Sequence, residues 1–233
     1  MKKTHLIDAN IMFAAIICIF VMGSVMPSIA AGPAEQQGLV DQSRVTFQSF
    51  IADPNMSYLK NHLHEAKGIL IVPSLLKAGF VFGGSGGSGV LITKDTKTGV
   101  WSQPGFYTMG SVTFGLQIGG EAAEVIMIVW TQKALDKLLT SSFKLGGDTS
   151  IAAGPVGAGA KSNIVADIVS FTRSKGAYAG ISLEGSVIST NDKSNNAYYG
   201  KTVRPVDILV KHSVSNKGSK ELRTIVGKAA RGK

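Results

Sequence analysis

The stretch Gly79-Phe80-Val81-Phe82-Gly83-Gly84-Ser85-Gly86-Gly87-Ser88-Gly89-Val90 decides how the rest of the chain is read. Residues 83 to 87 spell G-x-S-x-G, the serine-hydrolase elbow, and residues 84 to 89 spell G-x-G-x-x-G, the dinucleotide fingerprint. Both motifs need a helix directly behind the glycines, to back a strained turn or to aim its N-terminus at a pyrophosphate. Directly behind these glycines stands Val90-Leu91-Ile92-Thr93, a strand pattern. The stretch therefore reads as a glycine-rich strand. A hydrolase using Ser85 is the alternative, and its only downstream histidine is His212, near Asp207 at the edge of the basic tail.

The same punctuation continues outward. Short apolar or alternating runs cover residues 69–72, 79–82, 90–93, 100–102, 111–118, 125–130, 164–171, 178–190 and 203–210, separated by glycines and polar turns. Strands at this spacing predict an antiparallel sheet, sandwich or half-barrel. Helices frame it. Val40, Phe47, Phe50 and Ile51 share one stripe of a helix over 36–51 that Asp53-Pro54 ends, and Leu59, Leu63 and Ala66 mark a shorter one stopping at Lys67-Gly68. Thr131 caps an inserted helix of about 131–141, with Leu135, Leu138 and Leu139 inward. The expected class is α+β: mainly antiparallel sheet, N-terminal amphipathic helices, one inserted helix and a basic C-terminal helix.

The N-terminus has the order of a secretory signal. Lys2 and Lys3 precede a 12-residue apolar run, Ile11 to Met22, and Pro27-Ser28-Ile29-Ala30-Ala31 offers small-residue cleavage after Ala30 or Ala31. Twelve residues fall short of the roughly 20 that span a bilayer. The expected organisation is a signal over 1–30 and one domain over 32–233 with a basic tail from 211, in an exported protein of the envelope that is periplasmic or secreted. The single cysteine, Cys18, lies in the apolar run, so taking 30 from 233 residues leaves 203 without one. Such a chain relies on a packed core rather than disulfides. The whole chain carries +9, of which residues 1–30 hold one net charge, leaving +8. Outside the cytoplasm that charge points to anionic headgroups rather than nucleic acid.

Three further patterns bear on function. At an offset of 97 residues, Gly79, Gly83, Ser85, Val90, Thr93 and Asp95 match Gly176, Gly180, Ser182, Val187, Thr190 and Asp192, which reads as two related hairpins. Gly154 to Ser162 approaches a phosphate-binding loop but has one residue too many before Lys161. His62 and His64 stand two apart, on different sides of a helix, so no metal site and no cofactor is expected.

The tail combines charge with an apolar stripe. Lys211, Lys217, Lys220, Arg223, Lys228 and Arg231 flank Leu222, Ile225, Val226 and Ala229, a pattern suited to an anionic membrane surface or to a docked helix with solvated charges.

The ordered series Ala66-Lys67-Gly68-Ile69-Leu70-Ile71-Val72-Pro73, Lys77-Ala78-Gly79-Phe80, Gly99-Val100-Trp101-Ser102-Gln103-Pro104, Lys144-Leu145-Gly146-Gly147-Asp148 and Tyr199-Gly200 resembles the SYLF domain, over about residues 36–210. The resemblance implies non-enzymatic phospholipid binding, with phosphoinositide and actin binding among eukaryotic members. The lipid contact expected here is electrostatic through Lys60, Lys67 and the tail cations, with insertion of Val40, Phe47, Phe50 and Ile51; packing is the competing role for that stripe. An envelope module with a protein or peptidoglycan partner is the alternative.

Overall fold

A computed structural model describes residues 32–79, 82–114, 119–157, 163–174, 177–178 and 183–232. They belong to one compact unit, Ala31–Lys233. The signal reading of residues 1–30 lies outside the described residues.

The fold is α+β, built on a curled half-barrel sheet. Among the described residues the strands are β1 (Gly68–Gly79), β2 (Phe82–Thr93), β3 (Gly105–Phe114), β4 (Gly119–Val129), β5 (Ser142–Lys144), β6 (Ile151–Ala153), β7 (Ile168–Ser174), β8 (Ala177–Tyr178) and β9 (Val187–Thr190). Their order is β5-β9-β3-β2-β1-β4-β7-β6, with β8 also on β7. All pairs are antiparallel except β6 with β7.

The helices are α1 (Pro33–Ala52), α2 (Ser57–His62), α3 (Gln132–Leu138), α4 (Asp192–Tyr199), α5 (Pro205–Leu209) and α6 (Lys220–Ala230). α1 starts with Pro at its first position, where a missing N–H costs nothing, and ends at Asp53, whose carboxylate accepts from the Asn55 N–H at 2.9 Å. Thr131 caps α3 by accepting from the Ala134 N–H at 3.1 Å.

Strand alternation gives the sheet two apolar faces, and both are covered. Ile69, Ile71, Val90, Ile92, Phe106, Ile126 and Ile128 meet α1, α2, α4 and α6 through Val40, Phe47, Phe50, Leu59, Tyr198, Leu222 and Val226. On the other face Leu70, Val72, Leu91, Tyr107, Val125 and Met127 meet α3 and α5 through Ala134, Leu135, Leu138, Ile208 and Leu209. Polar ties fix α1 across the sheet. The Arg173 guanidinium on β7 donates to Glu124 on β4 and to Ser49, Glu124 also accepts from Thr46, and Arg173 lies 4.7 Å from the centre of the Phe50 ring.

The central hairpin forms as expected, but its strands are longer than the apolar runs because β1 continues through Pro73. That residue sits where the register of β1 shifts against both neighbours, between Ile71 and Ser74 on the β2 side. A bulge tolerates a proline that a regular central strand would not. Opposite it, Gly87 and Gly89 are obligatory. A Cβ at Gly89 would lie 2.4 Å from the Ile71 carbonyl oxygen, and one at Gly87 2.5 Å from that of Ser74.

Three expectations are corrected. Residues 203–210 are not a strand: Pro205 opens α5, and the Arg204 and Asp207 capping box closes its first turn. The loop expected after Thr190 is α4, capped by Asn191, whose side chain accepts from the Ser194 N–H at 3.0 Å. The second hairpin of the offset-97 echo does not form among the described residues, since β8 pairs with β7 while β9 pairs with β3 and β5. Gly176 and Gly180 lie outside the described residues.

Candidate functional site

The tail helix presents two adjacent stripes. Leu222, Val226 and Ala230 are buried in the core, while Ile225, Lys228 and Ala229, spaced i, i+3 and i+4, form the neighbouring stripe, with Gly232 following just past the helix end. α6 is held close by Arg223, whose Nε donates to the Trp101 carbonyl at 2.9 Å, and by Gly227, where a Cβ would stand 3.3 Å from the Trp101 ring. Arg44 of α1 approaches Glu221 at 3.4 Å.

Against that second stripe stand the last turn of α1 and the α2 region. Together they enclose a groove of about 630 Å³ lined by Ile51, Lys60, Asn61, His64, Ile225, Lys228, Ala229 and Gly232. Ile51, Ile225 and Ala229 are partly buried, each packed against the core. Lys60 and Lys228 are exposed and have no ion-pair partner among the described residues. None of the described residues lining the groove is a carboxylate; Glu65 lies 3.6 Å from His64 Nε2. The turn carrying His64 is fixed by His64 Nδ1 donating to the Asn61 carbonyl at 2.8 Å, and by Lys94 Nζ donating to the His64 carbonyl at 2.9 Å. An apolar floor between two unpaired ammonium groups suits an anionic amphiphile.

Of the twelve predicted contact residues the groove unites Ile51, Lys60 and Lys228. Lys67 anchors the start of β1 through its backbone: its N–H donates to the Val129 carbonyl, and its own carbonyl accepts from the Lys94 N–H. Lys211 pairs with Asp207 at 3.2 Å, and this pairing, after that of Arg204, holds the Asp207 carboxyl below its ordinary range. Lys217 and Lys220 are exposed at the opposite end of α6, Arg223 is tied to Trp101, and Arg231 is exposed beyond the last turn. Val40, Phe47 and Phe50 are fully buried under the sheet, so the stripe read as an insertion face is core at these three positions, and Ile51 alone reaches the groove. His64 and Ile225 are groove residues that sequence reasoning does not select as lipid contacts; the tail's apolar spacing contains Ile225, while nothing in sequence sets it against α2.

Ser85 lies within β2, not on an elbow, and its hydroxyl is 2.8 Å from that of Ser111 across the strand pair. His212 faces Asp95 at 3.8 Å instead. His62 stacks on Tyr58, ring centres 3.9 Å apart, while His64 turns to the groove. No helix among the described residues is long and apolar enough to cross a membrane.

A family model described as Ysc84, Las17-binding protein actin regulator, matches residues 110–229. The chain is 37% identical to LAS seventeen-binding protein 3 of Saccharomyces cerevisiae over 145 residues, 59% of this chain and 31% of that protein. It is 35% identical to Protein YSC84 of the same yeast over 145 residues, with the same shares, and 31% identical to human SH3 domain-containing YSC84-like protein 1 over 150 residues, 62% of this chain and 43% of that one. The chain thus spans less than half the length of these relatives. The matched segment starts within β3 and includes β4 and the groove stripe of α6 up to Ala229, and with more than half of its residues under the family model, the chain belongs to the SYLF (Ysc84) family.

Proposed function

We propose that this chain is a non-enzymatic binding module that attaches to anionic phospholipid surfaces through the face around the α2–α6 groove. The observation that carries this reading is that Lys60 and Lys228, 168 positions apart in sequence, line one groove with Ile51, Ile225 and Ala229, with no carboxylate among its described lining residues. Arg231 and the charge of +8 left after residues 1–30 add a long-range attraction to the same kind of surface. The N-terminal apolar run supports an envelope location for this activity; N-terminal sequencing of protein recovered after expression should then begin at Ala31 or Gly32.

Vesicle co-sedimentation tests the lipid reading. Binding to phosphatidylglycerol-containing vesicles should exceed binding to neutral ones at low salt and fall as salt rises. The Lys60→Gln, Lys228→Gln double variant should bind about 30-fold more weakly, from roughly 1 kcal/mol per basic residue near the surface. Equal binding to neutral and anionic vesicles sinks the proposal. The names of the yeast relatives favour a second reading, a protein partner of the Las17 kind. Retained binding to such a protein together with indifference to lipid would select it.

A further inference from the structure

We infer that the groove between α1, α2 and α6 is an acyl-chain site: one chain of an anionic lipid leaves the bilayer plane and lies on Ile51, Ile225 and Ala229, while its phosphate sits between Lys60 and Lys228. This rests on the lipid reading above and goes beyond it, because adsorption to a surface needs cations but no groove.

The volume is the first reason. About 630 Å³ is the size of a small-molecule pocket, and a phosphate held by two ammonium groups occupies only a small part of it. The second is how the space is kept open. Ala229 on the groove stripe of α6 brings a single methyl group, so the floor stays low where a larger residue would fill it, and Gly232, just past the helix end, adds no side chain. The third is the polarity of the site. Its apolar members come from the helices that close the core, and the two lysines stand on opposite walls, with stems that are themselves apolar. A phosphate headgroup on a hydrocarbon chain matches that division. An acidic protein segment would match the lysines and leave the floor uncovered.

The test uses the full chain and alkyl phosphates of increasing length, each below its micelle concentration, in isothermal titration. A chain covered on one side should gain about twofold in affinity per methylene, so decyl phosphate should bind at least tenfold more tightly than butyl phosphate. Ala229→Trp, checked for folding by circular dichroism, should abolish that length dependence. A diazirine-bearing fatty acid gives a second readout that needs no variant, with cross-links expected on the peptides holding Ile51 and Ile225–Ala229. Butyl and decyl phosphate binding alike, or cross-links confined to other peptides, would overturn the inference. The same preparation is assayed on phosphatidylglycerol vesicles. Vesicle binding without length dependence removes the groove but leaves the lipid reading standing; absence of both removes the reading itself.

Discussion

Below the bulge at Val72–Ser74, toward the Gly68 end, the central strands carry Ile69, Leu70, Ile71, Val90, Leu91, Val125, Ile126 and Met127, all buried on one face or the other. Above it, the same strands carry Leu76, Gly84, Gly86, Gly110, Val112 and Gly120, with Leu76 61% and Val112 75% exposed. The backbone ladder runs through both regions without a break in pairing partners, so hydrogen bonding does not distinguish them. Cover does. Helices lie over both faces of the lower region, and there large apolar residues are accommodated; past Leu75, Met109 and Ala123, which are still buried, the described part of the upper region exposes its large apolar side chains, and small residues keep that apolar area low. Glycine accordingly has two meanings in one strand. At Gly87 and Gly89 it admits the bulge of β1, whereas at Gly86 a Cβ would meet nothing within 4 Å.

The comparison can be broken most forcefully in the lower region. Phe47→Ala removes a fully buried ring between α1 and the sheet and should cost about 3–5 kcal/mol, read from the urea midpoint. Gly89→Ala comes next, at about 3 kcal/mol, because its new methyl meets backbone rather than a movable side chain. Gly86→Ala, three residues away in the open part, should change stability by less than about 1 kcal/mol. If Gly86→Ala and Gly89→Ala prove equally harmful, the two-region account is wrong.

An effect between those of Gly89→Ala and Gly86→Ala is tied to pH at the far edge of the sheet. Asp167 accepts from the Thr131 hydroxyl at 2.7 Å, from the Ser150 N–H at 2.9 Å and hydroxyl at 2.8 Å, and from Lys133 at 3.3 Å. These donors, Thr131 foremost, hold its carboxyl well below the usual carboxylate range. A depressed folded value means the contribution is complete above the unfolded value of about 3.9 and is lost as pH falls from there through the folded value. Asp167→Asn should cost about 1–2 kcal/mol at pH 7 and flatten the fall in stability below about pH 4. Urea midpoints from pH 7 to pH 2.5 provide the check. Smallest of all is Val112→Thr on the uncovered surface, expected within about 0.5 kcal/mol of the unsubstituted protein in the same assay.

How legible these features are in the sequence depends on how local they are. The α+β class, the strand reading of Gly83 to Val90 and the N-cap at Thr131 depend on neighbours a few positions away, and each stands in the fold, whereas Gly79, read with the same run, ends β1 and pairs with Gly83. α5 reads wrongly as a strand because apolar Val203, Val206, Ile208 and Val210 imitate strand alternation, while the Arg204 to Asp207 cap that decides the matter spans a single turn. Gly83 stands out in sequence as half of an echo, whereas Gly87 and Gly89 do not, although each has a steric reason that comes from a carbonyl on another strand. The groove is legible only as separate cations and an apolar stripe. Helical spacing groups Ile51 with Val40, Phe47 and Phe50, and only the packing of α6 beside α1 separates the residue at the groove from the three in the core.

That packing also sets when the site exists. Its walls come from residues 51–64 and 225–232, so during synthesis the first wall waits for nearly the whole chain to be made before the second can dock. A chain arrested anywhere before Ile225 would carry Lys60 and Ile51 with nothing opposite them. The groove is therefore a late feature of synthesis, formed only once residues 225–232 have been made and docked.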